Sequence, residues 1–275
     1  MFEKLKQYFQ KNEKETVTSP VIITIHGYGR RCQHEFDNFA LWGRKDGFTI
    51  VQFDMYDLFD EQDCDWKQWL ARAKDQVKRY KNSGVPIYLV GFSMGGVIAS
   101  YLAATFQVDR LILLAPAFSY INMDMVSGVI TKTAASLWSN EKKEEIKLPS
   151  SFYSAFMDIV KNLKKYIVDV ECPVLFLHGD QDEVISIKSS LWAYEKLPHD
   201  RKKLIILHEG HHRLLMDENV HWECYQIMKL FLNKELLGDT EIIQAEDIMD
   251  SLIEKKRAMM QESTKEKEIN GELPL

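Results

Sequence analysis

Short apolar runs separated by longer segments of helical spacing dominate the chain as far as His208. The runs predict strands at Val21–Ile25, Phe48–Phe53, Pro86–Gly91, Arg110–Ala115, Pro173–His178 and Lys203–His208. Several are apolar at nearly every position, the pattern of strands buried on both faces in a parallel sheet. Between the second and third runs, Trp66, Trp69, Leu70, Ala73, Val77 and Tyr80 recur at steps of three and four and mark one face of a helix. Alternation of this kind predicts an α/β fold, a mainly parallel sheet of about six strands joined by right-handed helical crossovers and flanked by helices.

Two segments break the alternation. Residues 118–170 separate the fourth and fifth predicted strands by roughly fifty positions, where a crossover needs only a dozen or so. They carry Phe118, Tyr120, Met123, Met125, Trp138, Phe152, Tyr153, Phe156 and Tyr166, with a charged stretch at Glu141–Glu145. The expectation is a small helical cap over the carboxyl ends of the strands, inserted into a core formed by residues 1–117 and 171–237. Residues 238–275 form the second such segment. Ile242, Ala245, Ile248, Met249, Leu252, Ile253, Met259 and Met260 make an apolar stripe in a charged sequence, read as an amphipathic helix. That stripe is suited to docking on the parent domain or to forming a homodimer with a second copy.

Composition narrows the function classes. A chain of 275 residues, 45% hydrophobic, can bury one substantial core. Its net charge of −6 comes from interspersed signs, which argues against nucleic acid as a partner, because phosphate binding needs clustered Lys and Arg. The four cysteines, Cys32, Cys64, Cys172 and Cys224, are widely spaced and make no C-x-x-C pair, as expected of reduced thiols. No run reaches the ~20 apolar residues of a membrane helix, so a soluble, cytoplasmic protein without stable membrane insertion is expected. The first residues, with Phe2, Leu5, Tyr8 and Phe9 spaced along a charged stretch, suggest a helix.

The densest chemical signal is Gly91-Phe92-Ser93-Met94-Gly95-Gly96, between an apolar strand and a small-residue helical segment. A G-x-S-x-G turn in that position is so tight that the residues two before and two after the serine must lack bulky side chains. It projects Ser93 from the sheet edge as a nucleophile. A serine hydroxyl needs a base, the base needs an orienting acid, and the developing oxyanion needs donors. His26-Gly27-Tyr28-Gly29 leaves the first strand on a glycine-rich turn that can offer the Tyr28 N–H, and the Met94 N–H at the helix start can offer a second. Acid candidates follow the fifth strand in His178-Gly179-Asp180-Gln181-Asp182-Glu183-Val184. Asp182 is favoured because Val184 and Ile185 can anchor its loop, with Asp180 and Glu183 as competitors. Base candidates follow the sixth strand in His208-Glu209-Gly210-His211-His212. His208 ends the strand, which leaves His212 with His211 as the alternative. A metal site from His208, His211, His212 and His221 lacks a carboxylate or cysteine at ligand spacing, and no metal or cofactor is expected.

These pieces, in the order nucleophile, acid, base, resemble the α/β-hydrolases, within the small capped serine esterases and lysophospholipase-like carboxylesterases, over about residues 20 to 235. The resemblance implies Ser93 as nucleophile and Asp182 as the acid of an H-G-x-x-D-x-V pattern. It leaves the base open between His211, after Gly210, and His212, before Arg213-Leu214-Leu215. The chain departs from the pattern in two places: only twenty residues precede Val21, and Asp54–Asp60 lacks the D-x-x-G-x-G-x-S sequence of many relatives. The expected reaction is hydrolysis of a small-molecule ester with an apolar, short-to-medium acyl chain. Thioesters, monoacylglycerols, lysophospholipids and peptides are the alternatives on the same residues, and a non-catalytic ligand- or partner-binding protein is the alternative of a different class. A serine at the elbow speaks against dehalogenase chemistry, which needs a carboxylate there.

Overall fold

Successive side chains of a strand point to opposite faces, and here both faces are covered by helices, so the strands have little room for polar residues. The computed structural model describes residues 19–29, 33–57, 59–119, 121, 150–236 and the backbone of 242–244. All six expected strands form: β1 (Val21–Ile25), β2 (Thr49–Val51), β3 (Ile87–Phe92), β4 (Arg110–Leu114), β5 (Val174–Gly179) and β6 (Lys202–Leu207). They lie side by side in the order β2-β1-β3-β4-β5-β6, every neighbour parallel.

A seventh strand, β7 (Ile242–Gln244), extends the sheet beside β6, with Ile242 opposite Leu204 and Gln244 opposite Ile206. This corrects the helical reading of Ile242. A free edge of β6 presents unpaired N–H and C=O groups, and a β-branched pair such as Ile242-Ile243 is well suited to fill it. The rest of the proposed helical stripe, from Ala245 onward, lies outside the described residues, as does the dimer contact assigned to it. The expected N-terminal helix at Phe2–Phe9 also lies outside them.

One apolar layer joins Ile22, Val90, Ile112 and Leu177 to α1 (Asp37–Lys45) and α6 (His221–Leu232), through Phe39, Tyr225 and Met228. The other joins Ile23, Leu89, Leu111 and Phe176 to α2 (Trp66–Lys81), α3 (Met94–Phe106), α4 (Ser150–Leu163) and α5 (Lys188–Lys196). In α2 the predicted face buries Trp69, Leu70, Ala73 and Val77, and Asp65 caps its start by accepting the Lys67 N–H at 2.9 Å. α3 is buried on nearly every side, which explains why its sequence carries no charged residue.

The described part of the segment read as a cap is built differently. Phe152, Ala155, Phe156, Ile159, Val160 and Leu163 form one stripe of α4 and are buried in the layer that holds Trp69. Phe152 packs edge-on against Tyr56 and tilted against Trp69, both at 5.4 Å between ring centres. A 3-10 turn at Lys164–Asp169 follows, with Ile167 buried in the same layer. Residues 150–169 therefore belong to the core layer, because their stripe has the width and spacing of a helix facing a sheet. Tyr120 and residues 122–149, with Met123, Met125, Trp138 and the charged stretch, lie outside the described residues.

The chain leaves β1 toward β2 on one side and returns to β3 on the other. A crevice therefore opens at the carboxyl ends of β1 and β3, the usual ligand position in open α/β sheets. If α4 is a core helix, Phe152→Ala should lower the unfolding free energy by about 3–5 kcal/mol in urea titrations. A loss below about 1 kcal/mol would instead indicate a helix that packs apart from the core.

Candidate active site

Ser93 follows β3 with φ 53° and ψ −118°, backbone that an L-residue adopts only under constraint. Hydrogen bonds supply the constraint. The Ser93 N–H donates to Leu114 O at 2.9 Å, and its carbonyl accepts from the Gly96 and Ala117 N–H groups at 3.0 Å each. The two glycines of the turn are required by close approach. A Cβ on Gly91 would lie 2.6 Å from Gly95 O, and one on Gly95 would lie 2.1 Å from Ile25 O. The elbow thus rests directly on the end of β1.

Two loops, after β5 and β6, meet Ser93. They are locked backbone to backbone: Gln181 N–H donates to Gly210 O at 3.0 Å, and a Cβ on Gly179 would collide with that oxygen at 2.0 Å. On the first loop, Asp182 accepts the Val184 and Ile185 N–H groups with Oδ1 at 2.9 and 2.8 Å. Its Oδ2 lies 2.8 Å from His212 Nδ1 and 3.2 Å from His178 Nε2. His212, on the second loop, places Nε2 3.2 Å from Ser93 Oγ. Ser93 and His212 are both buried. Burial works against ionising Asp182, but the charges and hydrogen bonds of His212 and His178 outweigh it and hold the carboxyl well below the usual range. With a carboxylate as acceptor, the His212 Nδ1 carries the proton, which leaves Nε2 free to accept from Ser93.

The competing residues point elsewhere. His211 is exposed and binds Asp217 Oδ2 at 3.0 Å through Nδ1. Asp180 engages His208 Nδ1 at 2.7 Å and the Glu209 N–H at 2.8 Å. Among the described residues, Glu183 meets only the His212 N–H, at 3.4 Å. His221 reaches the Asp217 carbonyl at 2.8 Å. Of the four histidines considered for a metal, only His212 faces Ser93.

The His26–Gly29 turn packs on the elbow so closely that a Cβ on Gly27 would lie 2.9 Å from the Phe92 ring and 3.2 Å from Ser93 Cβ. His26 Nε2 accepts the Met55 N–H at 2.9 Å, so Nδ1 bears the proton and donates to Gly27 O at 2.8 Å. Burial pushes His26 down to about 4, which keeps it neutral in this role. The Tyr56 hydroxyl accepts the Gly29 N–H at 2.9 Å and sends its proton to Gly29 O at 3.0 Å or Gly27 O at 3.3 Å. Because the Gly27 carbonyl is held from behind, the N–H across the same trans peptide, that of Tyr28, points the opposite way. Among the described residues, neither the Tyr28 N–H nor the Met94 N–H has an acceptor. The Tyr28 ring stacks on Phe156 at 5.4 Å and meets Tyr153 edge-on at 6.4 Å. Burial, and then the neighbouring Tyr153, push its hydroxyl up to about 12.

Two positioning residues escaped the sequence reading. His178 stands in the H-G-x-x-D pattern, yet spacing alone does not reveal that its Nε2 donates to Ile185 O at 2.8 Å while facing Asp182. Tyr56 lies in the Asp54–Asp60 loop, where no repeat or glycine pattern marks it.

A model of the family described as serine aminopeptidase, S33 matches residues 64–151 and 139–219, together more than half of the chain. Among solved structures, the chain is similar to a metagenome-derived lipolytic enzyme of the LipS and LipT pair, at 17% identity and a TM-score of 0.61, covering 79% of this chain and 94% of that one. It is also similar to a soluble variant of monoglyceride lipase from Saccharomyces cerevisiae, at 18% identity and a TM-score of 0.59, over 82% and 89% of the two chains. Est1E from Butyrivibrio proteoclasticus matches at 22% identity and a TM-score of 0.58, over 82% and 91%. At these identities the likeness is one of fold. No helix among the described residues is long and apolar enough to cross a membrane.

The depressed Asp182 carboxyl has a consequence for stability. Its ionised form is favoured more in the folded than in the unfolded chain, so its stabilisation is complete above the ordinary carboxylate value of 3.8 and is lost as pH falls toward the folded value. Urea unfolding from neutral pH down to about pH 3 should show stability dropping below about pH 4, and Asp182→Asn should lose that part of the drop.

Proposed function

The chain belongs to the serine aminopeptidase S33 family of α/β-hydrolases, and on that footing we propose that it hydrolyses carboxylic esters through an acyl-enzyme on Ser93. The observation that carries the proposal is the line Ser93 Oγ, His212 Nε2, His212 Nδ1, Asp182 Oδ2, with steps of 3.2 and 2.8 Å on either side of the imidazole.

In the first step Ser93 Oγ attacks the ester carbonyl carbon and its proton passes to His212 Nε2. The carbonyl oxygen takes the negative charge within reach of the Tyr28 and Met94 N–H groups, each worth about 3 kcal/mol to such a centre. Collapse of the tetrahedral intermediate breaks the bond to the alkoxy oxygen, which leaves as an alcohol with the proton from His212. Water then attacks the acyl carbon, gives its proton to His212 and releases the acid, and the proton returns to Ser93. Asp182 holds the imidazole tautomer and offsets the charge of the imidazolium.

The aromatic group of Tyr28, Tyr153 and Phe156 beside the turn supports an apolar acyl group of short to medium length. The lipolytic and monoglyceride-lipase neighbours support an ester over other acyl substrates. The family's description favours a second reading, release of an amino-terminal residue from a peptide by the same steps.

Parallel assays with p-nitrophenyl acyl esters and aminoacyl p-nitroanilides separate the two readings. Ester turnover should exceed anilide turnover. Ser93→Ala should lose on the order of a thousandfold or more in kcat, as expected when a nucleophile is removed. His211→Ala should stay within about threefold of wild type, since its ring faces Asp217. Ser93→Ala turning over esters at the wild-type rate would refute the acyl-enzyme.

A further inference from the structure

Glu35 sits on the 3-10 turn Gln33–Phe36 and is almost completely buried, an unusual position for a carboxylate with no part in the proposed acyl transfer. Its Oε2 accepts the Gly27 N–H at 2.9 Å. Its Oε1 lies 3.6 Å from Arg213 Nη2, and Arg213 directly follows His212. The guanidinium also reaches the glycine turn, because a Cβ on Gly29 would stand 3.6 Å from the same nitrogen. Phe36, Phe92, Leu114 and Leu214 line the surroundings. Neither Glu35 Oε1 nor Arg213 Nη1 has a hydrogen-bond partner among the described residues.

We propose that Glu35 is a positioning residue that ties the turn carrying the Tyr28 N–H to the loop carrying His212, holding the Gly27 amide with one oxygen and facing Arg213 with the other. This rests on the reading of Ser93, His212 and the Tyr28 N–H given above. Three contacts meet at Gly27. Tyr56 and His26 hold the Gly27 carbonyl, and Glu35 holds the Gly27 N–H, so the peptide planes on both sides of Gly27 are pinned. Only the Glu35 contact also reaches the histidine loop.

The same carboxylate has an electrostatic part. The charged and titratable groups that face it among the described residues are Arg213 and His212. Burial pushes the Glu35 carboxyl up to about 7, while the Arg213 charge, the Gly27 N–H and the His212 charge pull it back. An ionised Glu35 therefore favours the imidazolium that forms as Ser93 gives up its proton, and it partly cancels the opposing charge of Arg213.

Two substitutions separate the hydrogen bond from the charge, read by nuclear magnetic resonance of the backbone amides and by ester kinetics. Glu35→Gln keeps an acceptor for Gly27 but removes the charge, so the Gly27 and Tyr28 amide resonances should stay near their wild-type positions. Glu35→Asp keeps the charge but draws the acceptor back by one methylene, so the Gly27 and Tyr28 amide resonances should move. In both, kcat should fall about tenfold with KM little changed, the signature of misplaced transition-state groups. Should Glu35→Gln fail to fold, the amide shifts in Glu35→Asp decide the matter. Gly27 and Tyr28 amide resonances at wild-type positions in folded Glu35→Asp, or wild-type kcat in both folded variants, would overturn the tether. Wild-type protein without ester turnover would count against the proposed function instead, and the resonance measurements judge the tether in either case.

Discussion

The strained backbone of Ser93 survives only because three strands close around it without room for side chains. Gly95 presses on the end of β1, Gly91 on the start of α3, and Gly27 on the Phe92 ring beside Ser93, each so close that an added Cβ would force a shift. Strain of about 1–3 kcal/mol at one residue persists where the surroundings over-determine it. Here the elbow is fixed by the Leu114 carbonyl from β4 and by the Ala117 amide just beyond it. The sheet core is therefore inseparable from the proposed chemistry. Its apolar layers hold the strand ends in register, and the strand ends hold the serine.

Around that point the buried titratable groups are held in different ways. Asp182 spends one oxygen on two backbone amides and the other on two histidines, which keeps it ionised despite burial. His26, by contrast, is held neutral by burial and works as a fixed donor and acceptor between Met55 and Gly27. Two histidines in one crevice thus do different work because one has a carboxylate partner and the other has only backbone.

Much of this was legible in the residues. The strands announced themselves because burial on both faces removes polar residues. The G-x-S-x-G turn was legible because its steric demand can be met by few residue types. Asp182 could be preferred over Asp180 because the apolar residues after it needed a place to pack, and Val184 and Ile185 are indeed buried. What could not be read depended on long-range contacts. Adjacent histidines look alike in a sequence, and only the tertiary position of Asp217 turns His211 outward. Phe152 and Phe156 looked like part of a separate cap because aromatic content does not tell which surface it covers. Ile242 fitted a helical stripe, yet an open sheet edge claimed it. Tyr56 and Glu35 carry no local signal at all, since their value lies in touching a turn far from them in the chain.

Covalent capture of the nucleophile tests the central claim most directly. Folded wild-type protein is reacted with a fluorophosphonate, weighed intact and mapped by peptide mass spectrometry. A hydroxyl activated by His212 and Asp182 should give one adduct per chain, on Ser93, and the Ser93→Ala protein should give none. Folded protein that remains unmodified, or that carries the adduct on another residue, would contradict the assignment of Ser93 as the acyl-transfer centre.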